Sequence, residues 1–356
     1  MSKALQQGNK VWLILDDRPG HKTQLFGVGE ELKKEGFEVF EKQIVFTKWA
    51  KIPNFLKPSY LFGVEKNSRD ALEKQLTAET LPAIIIGAGR KTAPIVYWLK
   101  RRAKKINPSL RVISVQLMDP KFHNSSYDLL VIPEHDHPLK RKNIHSVVTM
   151  PMAINEALLK QEEAKWAKSL EKAIHPVIAI IVGGDTKEHK FTPKKAKRLV
   201  AYANKLVHKF KGSIIVTNSR RTSKELTEYL NKNLHRVLVR YDVNTNKDNP
   251  YYAFLNIADI IIVTGDSASM VSEACFFGKP VFIYDPTNIV PKKFRNFHKV
   301  LYKHLYAYTL DTFFFSRIFK VVNLFIKKKL RPPSLYVNQE VVHKIKMVYS
   351  GNEGKF

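Results

Sequence analysis

Short β-branched runs alternate with amphipathic stretches along almost the whole chain, and the alternation starts over once near its middle. Strands separated by helix-length segments cannot pair as hairpins; they pair in parallel, with helices covering both faces of the sheet. In the first run the spacing predicts strands at residues 11–15, 38–45, 83–86, 111–115, 128–132 and 145–149, with helices at 23–34 and 92–105. Pro151 and a Lys/Glu-rich helix at 155–172 read as the bridge to the second run. There the predicted strands are 177–182, 213–217, 236–240, 259–263 and 281–284, and the predicted helices 193–210, 223–233, 250–257 and 267–277. The expected architecture is α/β: two Rossmann-like doubly wound units facing a cleft, with ligands at the carboxyl ends of the strands. The boundaries are 1–153 for the first unit and 154–330 for the second. Residues 331–356 form a tail or helix that packs back on the first.

Composition narrows the class. A chain of 356 residues fits two domains, since ~100–200 residues is usual for one. The single cysteine, Cys275, rules out an internal disulfide framework and suits a reducing compartment. The first nine residues lack the apolar core of a secretory signal, and no apolar run approaches the ~20 residues that cross a bilayer. A formal net charge of +28 favours polyanionic partners. Lysine supplies 45 of the 60 basic residues, whereas reading base edges favours arginine. With neither zinc-finger spacing nor an RNP-type aromatic motif, nucleic acid is disfavoured as a partner. Anionic lipid and phosphorylated substrates remain.

Three strands of the second run end in loops suited to anions. Residues 177–182 lead into Gly183-Gly184-Asp185-Thr186, where glycines expose amides and let a ligand approach, although a plain tight turn uses the same residues. Residues 213–217 lead into Asn218-Ser219-Arg220-Arg221-Thr222 ahead of a helix, either a diphosphate clamp or a solvated basic turn with an N-cap. Residues 259–263 lead into Thr264-Gly265-Asp266-Ser267-Ala268-Ser269-Met270. Capping accounts for Asp266 and Ser267. A phosphate at that helix start would also engage Ser269 and Met270, with Glu273 left to take a ribose hydroxyl pair.

In the first run Gly20-His21 follows the first strand. His21 is of the residue type best suited to a base that removes a hydroxyl proton; Asp17 competes for the role, and capping of helix 23–34 is the plain alternative. Glu134-His135-Asp136-His137 has the composition of a metal cluster. Four adjacent residues of one loop do not converge easily on one ion, so the segment reads as a domain-cleft loop. The expected site has no metal and no cofactor.

The order Gly-Gly-Asp, Ser-Arg-Arg-Thr, Asp-Ser-x-Ser-Met-x-x-Glu-Ala resembles the sugar-donor half of GT-B glycosyltransferases, including the membrane-associated enzyme that makes the lipid-linked cell-wall precursor. Over residues 10–290 the chain resembles more closely the family named for the plant "elongated mitochondria" fission protein, whose bacterial members are assigned as glycosyltransferases of lipopolysaccharide core assembly. Asp17-Arg18-Pro19-Gly20-His21-Lys22-Thr23-Gln24, Gly87-Ala88-Gly89-Arg90-Lys91-Thr92-Ala93-Pro94 and Pro133-Glu134-His135-Asp136 carry that likeness in the first run. Thr149-Met150-Pro151-Met152-Ala153 departs from the Thr-Arg-Gly-like stretch expected there. The resemblance implies a GT-B fold and a metal-independent transfer from a nucleotide-sugar to a lipid-linked or phosphorylated glycan acceptor. Asp17 and His21 would stand at the catalytic position, with Arg18, Gly20, Gln24 and Arg90 at the acceptor. It implies a cytoplasmic protein, peripheral on the inner membrane.

Two segments look adapted to an anionic membrane surface: residues 46–62, which mix aromatics with lysines, and residues 313–329, an apolar helix ended by a basic run. Both would equally suit packing on the two units. Against the enzyme stand a non-catalytic adaptor with a GT-B body, as the plant namesake suggests, and a polyanion binder driven by charge alone.

Overall fold

The strands written as continuous apolar runs are the ones the protein buries completely. A computed structural model describes residues 8–246, 248–287, 289–310 and 315–352. The chain divides into two compact units, Met1–Ala153 with Tyr336–Phe356, and Ile154–Leu335.

The first unit holds β1 (Lys10–Leu15), β2 (Glu38–Gln43), β3 (Ile84–Ala88), β4 (Ile113–Leu117), β5 (Leu129–Pro133) and β6 (Ile144–Val147). They form one parallel sheet in the order β2-β1-β3-β4-β5-β6. The second unit holds β7 (Val177–Ile181), β8 (Ser213–Thr217), β9 (Val237–Tyr241), β10 (Ile260–Thr264), β11 (Val281–Tyr284) and β12 (Tyr308–Thr309). Their order is β12-β11-β10-β7-β8-β9, again all parallel. Every residue of β3, β7 and β10 is buried. Helices cover both faces, so such a strand has no polar side. The charged strand β2, with Glu38, Glu41 and Lys42, lies at the sheet's outer edge, where charge discourages pairing with another chain. The fold is α/β of the doubly wound GT-B type.

Both sheets reverse direction once, between β1 and β3 and between β7 and β10. Connections diverge at such a switch point and leave a crevice beyond the carboxyl ends of the strands, where ligands of this architecture bind. The helices that follow β1 and β3 start earlier than their periodicity predicts. The first runs Pro19–Lys34, because Pro19 presets the helical φ and has no N–H to leave unsatisfied. His21 therefore sits inside the first turn, and its expected role as a cap falls away. The second runs Gly89–Ile106 and contains Pro94, which offers no N–H to the Arg90 carbonyl. Asn54 Nδ2 donates to that carbonyl instead, at 2.9 Å.

Helices at Lys66–Lys74 and Lys292–Lys303 and the two-residue β12 fall where no element was predicted. Helix Val337–Ser350 belongs to the first unit: Asn338 makes two bonds with the Met152 backbone, Arg111 donates to Val348 O, and Tyr349 donates to Gly8 O. Of the segments read as membrane-adapted, Phe313 and Phe314 lie outside the described residues. Helix Phe315–Ile326 packs into the core of its own unit, with Ile318 and Val322 buried and Phe315 stacked on Tyr202. In residues 46–62, Ala50 and Leu61 are buried, while Trp49, Phe55 and Leu56 are exposed. Among the described residues no helix is long and apolar enough to cross a membrane.

Candidate functional site

In the second unit the three loops after β7, β8 and β10 meet on one buried carboxylate. Asp266 is 3% exposed and follows β10 at the switch point. Its Oδ2 accepts from the Gly184 amide at 3.0 Å and lies 2.8 Å from Arg221 Nη2, while Oδ1 accepts from Thr264 Oγ1 at 2.6 Å. Arg221 Nη1 donates to the Asp185 carbonyl at 2.9 Å. The guanidinium is thus fixed from two sides and remains partly exposed. Gly183 is required here, since a Cβ would stand 2.1 Å from Oδ2 of Asp266.

The same closeness corrects an expectation. The amides of Gly183, Gly184, Asp185 and Thr186 do not point outward for an anion. They donate to Thr264 Oγ1, Asp266 Oδ2, Arg221 O and His189 O. Thr222, also expected to touch the ligand, is buried, and its hydroxyl donates to Gly183 O at 2.5 Å. Asp185 closes its own loop by accepting from Phe191 N and Lys190 Nζ. Ser219 Oγ accepts from Arg221 N, and Arg220 is exposed. Ser267 caps helix Ala268–Cys275 by accepting from Met270 N, which leaves Ser269 in an open first turn. Glu273 accepts from Tyr251 at 2.7 Å and Tyr252 at 3.4 Å. Burial pushes its carboxyl above the usual range despite these two hydroxyls.

In the first unit Asp16, fully buried at the end of β1, binds His21 Nδ1 at 2.8 Å. That bond orients the imidazole and sets Nε2 as the nitrogen left to accept a proton. The ring lies against Gly89, across the switch point. Asp17 has a different fate. It is exposed and ion-paired with Lys91 at 2.6 Å, and the Lys91 hydrogen bond holds its carboxyl below the usual range. That makes it a weak base. Arg18 and Arg90 line one cavity with Asp17. Gln24 keeps a buried Oε1 without a hydrogen-bond partner among the described residues. Nothing lies within 4 Å of a Cβ added to Gly20, so the fold does not demand glycine there. Glu134–Asp136 form a short turn after β5.

Asp16 was missed because Asp17, its neighbour, carries the motif. The pair His298–Asp285 was missed entirely. His298 is fully buried, its Nδ1 is 3.2 Å from Asp285, and its ring lies against Gly265 as His21 lies against Gly89. Its Nε2 has no partner among the described residues. No spacing signal links residues 265, 285 and 298, which only the fold brings together.

Two doubly wound parallel sheets, each with polar groups gathered at its switch point, define a GT-B-type protein. The chain belongs to the mitochondrial fission ELM1 family, whose model matches residues 19–331. It is 29% identical over 326 residues to Uncharacterized protein RP120 of Rickettsia prowazekii, which covers 83% of this chain and 87% of that one. Among solved structures, the UDP-GlcNAc 2-epimerase of Methanocaldococcus jannaschii aligns with a TM-score of 0.58 at 14% identity, over 95% of this chain and 99% of its own. UGT89C1 of Arabidopsis thaliana, complexed with UDP-L-rhamnose, aligns with a TM-score of 0.50 at 13% identity, over 96% and 98%.

Proposed function

We propose that this protein is a glycosyltransferase that moves a sugar from a nucleotide-sugar to a lipid-linked acceptor of the cell envelope, without a metal ion. The observation that carries the reading is the Asp266–Arg221 pair, which fixes a partly exposed guanidinium at the switch point of the second unit. The solved proteins that share the fold include ones named for UDP-sugars, which makes a uridine nucleotide the first to try.

In the proposed reaction His21 Nε2 takes the proton of the acceptor hydroxyl as that oxygen bonds to the anomeric carbon. Asp16 steadies the imidazolium that results. The bond from the anomeric carbon to the diphosphate oxygen breaks, and a nucleoside diphosphate leaves. Its growing charge is met by Arg221, Arg220 and the open first turn of helix Ala268–Cys275.

An adaptor without catalysis is the second reading, and one observation favours it: the Gly-Gly loop amides and Glu273 are already occupied from within the protein. A thermal-shift screen of nucleoside diphosphates and their sugars separates the two. The transferase should be stabilised by at least one nucleotide, and Arg221→Ala should weaken that binding about tenfold to a hundredfold, as expected for one charge-assisted contact. No stabilisation by any nucleotide supports the adaptor. Turnover that vanished with EDTA and returned with magnesium would overturn the charge assignment to the two arginines.

A further inference from the structure

Two adjoining cavities open on the first unit beside the loop that carries Asp17 and Arg18. The first, about 520 Å³, is lined by Arg18, Lys51, Arg90, Lys91 and Lys121 with Asp17 as its one carboxylate. Lys91 pairs with Asp17 and Lys121 with Asp119. Arg18, Lys51 and Arg90 form no ion pair among the described residues. A monoanion would leave most of that charge unanswered, whereas a dianionic phosphate monoester answers it and offers three acceptor oxygens.

The second cavity, about 600 Å³, shares Asn54 and Phe55 with the first. Five rings line it, Phe55, Tyr60, Trp98, Phe122 and His123, with Lys57, Arg69 and Glu73 among them. The rings brace one another, Tyr60 edge-on to Phe122 at 6.2 Å and Phe122 to His123 at 4.4 Å. Asn54 anchors the partition between the cavities. Its Nδ2 donates to the carbonyl that Pro94 leaves open, and its Oδ1 accepts from Lys57 at 2.7 Å. Phe55, which lines both cavities, is 79% exposed. A pocket with three cations unpaired among the described residues, beside a pocket rich in rings, matches a ligand that is anionic at one end and offers apolar surface to the rings at the other.

We propose that these cavities together bind an amphiphile bearing a phosphate monoester, with the phosphate among Arg18, Lys51 and Arg90 and the apolar portion along the rings. That this amphiphile is the sugar acceptor rests on the transferase reading; the binding itself does not.

The test uses the full chain and dihexanoyl phosphatidic acid, soluble below its micelle concentration, measured by calorimetry. Inorganic phosphate serves as the arm without chains, and dihexanoyl phosphatidylcholine as the arm with the same chains but no phosphate monoester. Phosphatidic acid should bind at least tenfold tighter than either. The exposed double variant Lys51→Gln/Arg90→Gln should lose tenfold or more for phosphatidic acid and phosphate alike. Phe55→Ser should weaken phosphatidic acid and leave phosphate unchanged. Circular dichroism verifies that the variants are folded. Binding as tight for phosphate alone, indifferent to Phe55→Ser, would mean a free-phosphate site and overturn the amphiphile. Binding untouched by the double variant, or none at all, would overturn the pocket. The screen of nucleoside diphosphates and their sugars, run in parallel, keeps the readings apart. Phosphatidic acid bound without any nucleotide sinks the transferase but leaves the pocket, and nucleotide bound without phosphatidic acid does the reverse.

Discussion

A Cβ added to Gly89 would stand 2.2 Å from Cε1 of His21, so the imidazole fills the room a side chain at 89 would need. Residue 89 also has φ +72°, where L side chains are strained. Gly89→Ala should push the ring off Asp16 and lower stability by about 1–3 kcal/mol. Urea denaturation reads the stability, and transfer of radiolabelled sugar reads the chemistry. Activity should collapse while nucleotide binding, proposed for the other unit, is retained. Full activity in a destabilised variant would separate the ring's position from the reaction.

The two neighbouring aspartates should behave differently. Asp16→Asn leaves the shape but removes the charge that orients His21, and kcat should fall by ~10²–10⁴. Asp17→Asn removes only an exposed pair with Lys91, and kcat should change by a few-fold at most. The reverse ranking would make Asp17 the base.

Asp266 should be the most sensitive side chain of the second unit. Removing a buried carboxylate that answers Gly184, Thr264 and Arg221 costs on the order of 3 kcal/mol, because its partners lose their acceptor away from water. Asp266→Ala and Arg221→Ala share one contact, so their effects on denaturation should add to less when combined. Strict additivity would mean that the pair is not coupled in solution.

Lys279 supplies a pH test. Burial pulls its ammonium from 10.5 down to about 8, although Nζ donates to the carbonyls of Leu255 and Asn256. Between those two values the unfolded chain holds a proton that the folded chain has shed, so this group's contribution to stability rises with pH across the window. Below about 8 the penalty is complete. Relative to Lys279→Met, the wild type should gain up to about 3 kcal/mol from pH 7.5 to 10.5, at ~1.4 kcal/mol per tenfold change in proton affinity. A difference between the two proteins that stays flat with pH would show that Lys279 is solvated.

Most of the architecture was legible in local pattern. The runs at 177–182, 213–217 and 281–284 became β7, β8 and β11 within one residue, because a strand covered on both faces must be apolar throughout. The charged edge strand β2 was legible too, except for its last two predicted residues. Helix starts were less so. Apolar periodicity registers a helix only where it touches the core, whereas Pro19 and Gly89 begin helices on backbone geometry.

The candidate residues were named by their loops, and their roles were not. The sequence alone placed Gly183, Arg221 and Asp266 after three strands. It carried no sign that Asp266 would take the Gly184 amide and the Arg221 guanidinium for itself. Likewise it put His21 after β1 but favoured Asp17 over Asp16 as its competitor. Where the His21 ring can sit depends on Gly89, 68 residues on, which brings its bare backbone against it. A continuous apolar run is a local property, so the chain by itself determined its buried strands. The pairing of polar side chains across a switch point depends on strand order and close backbone approach, and those exist only once the sheet has closed.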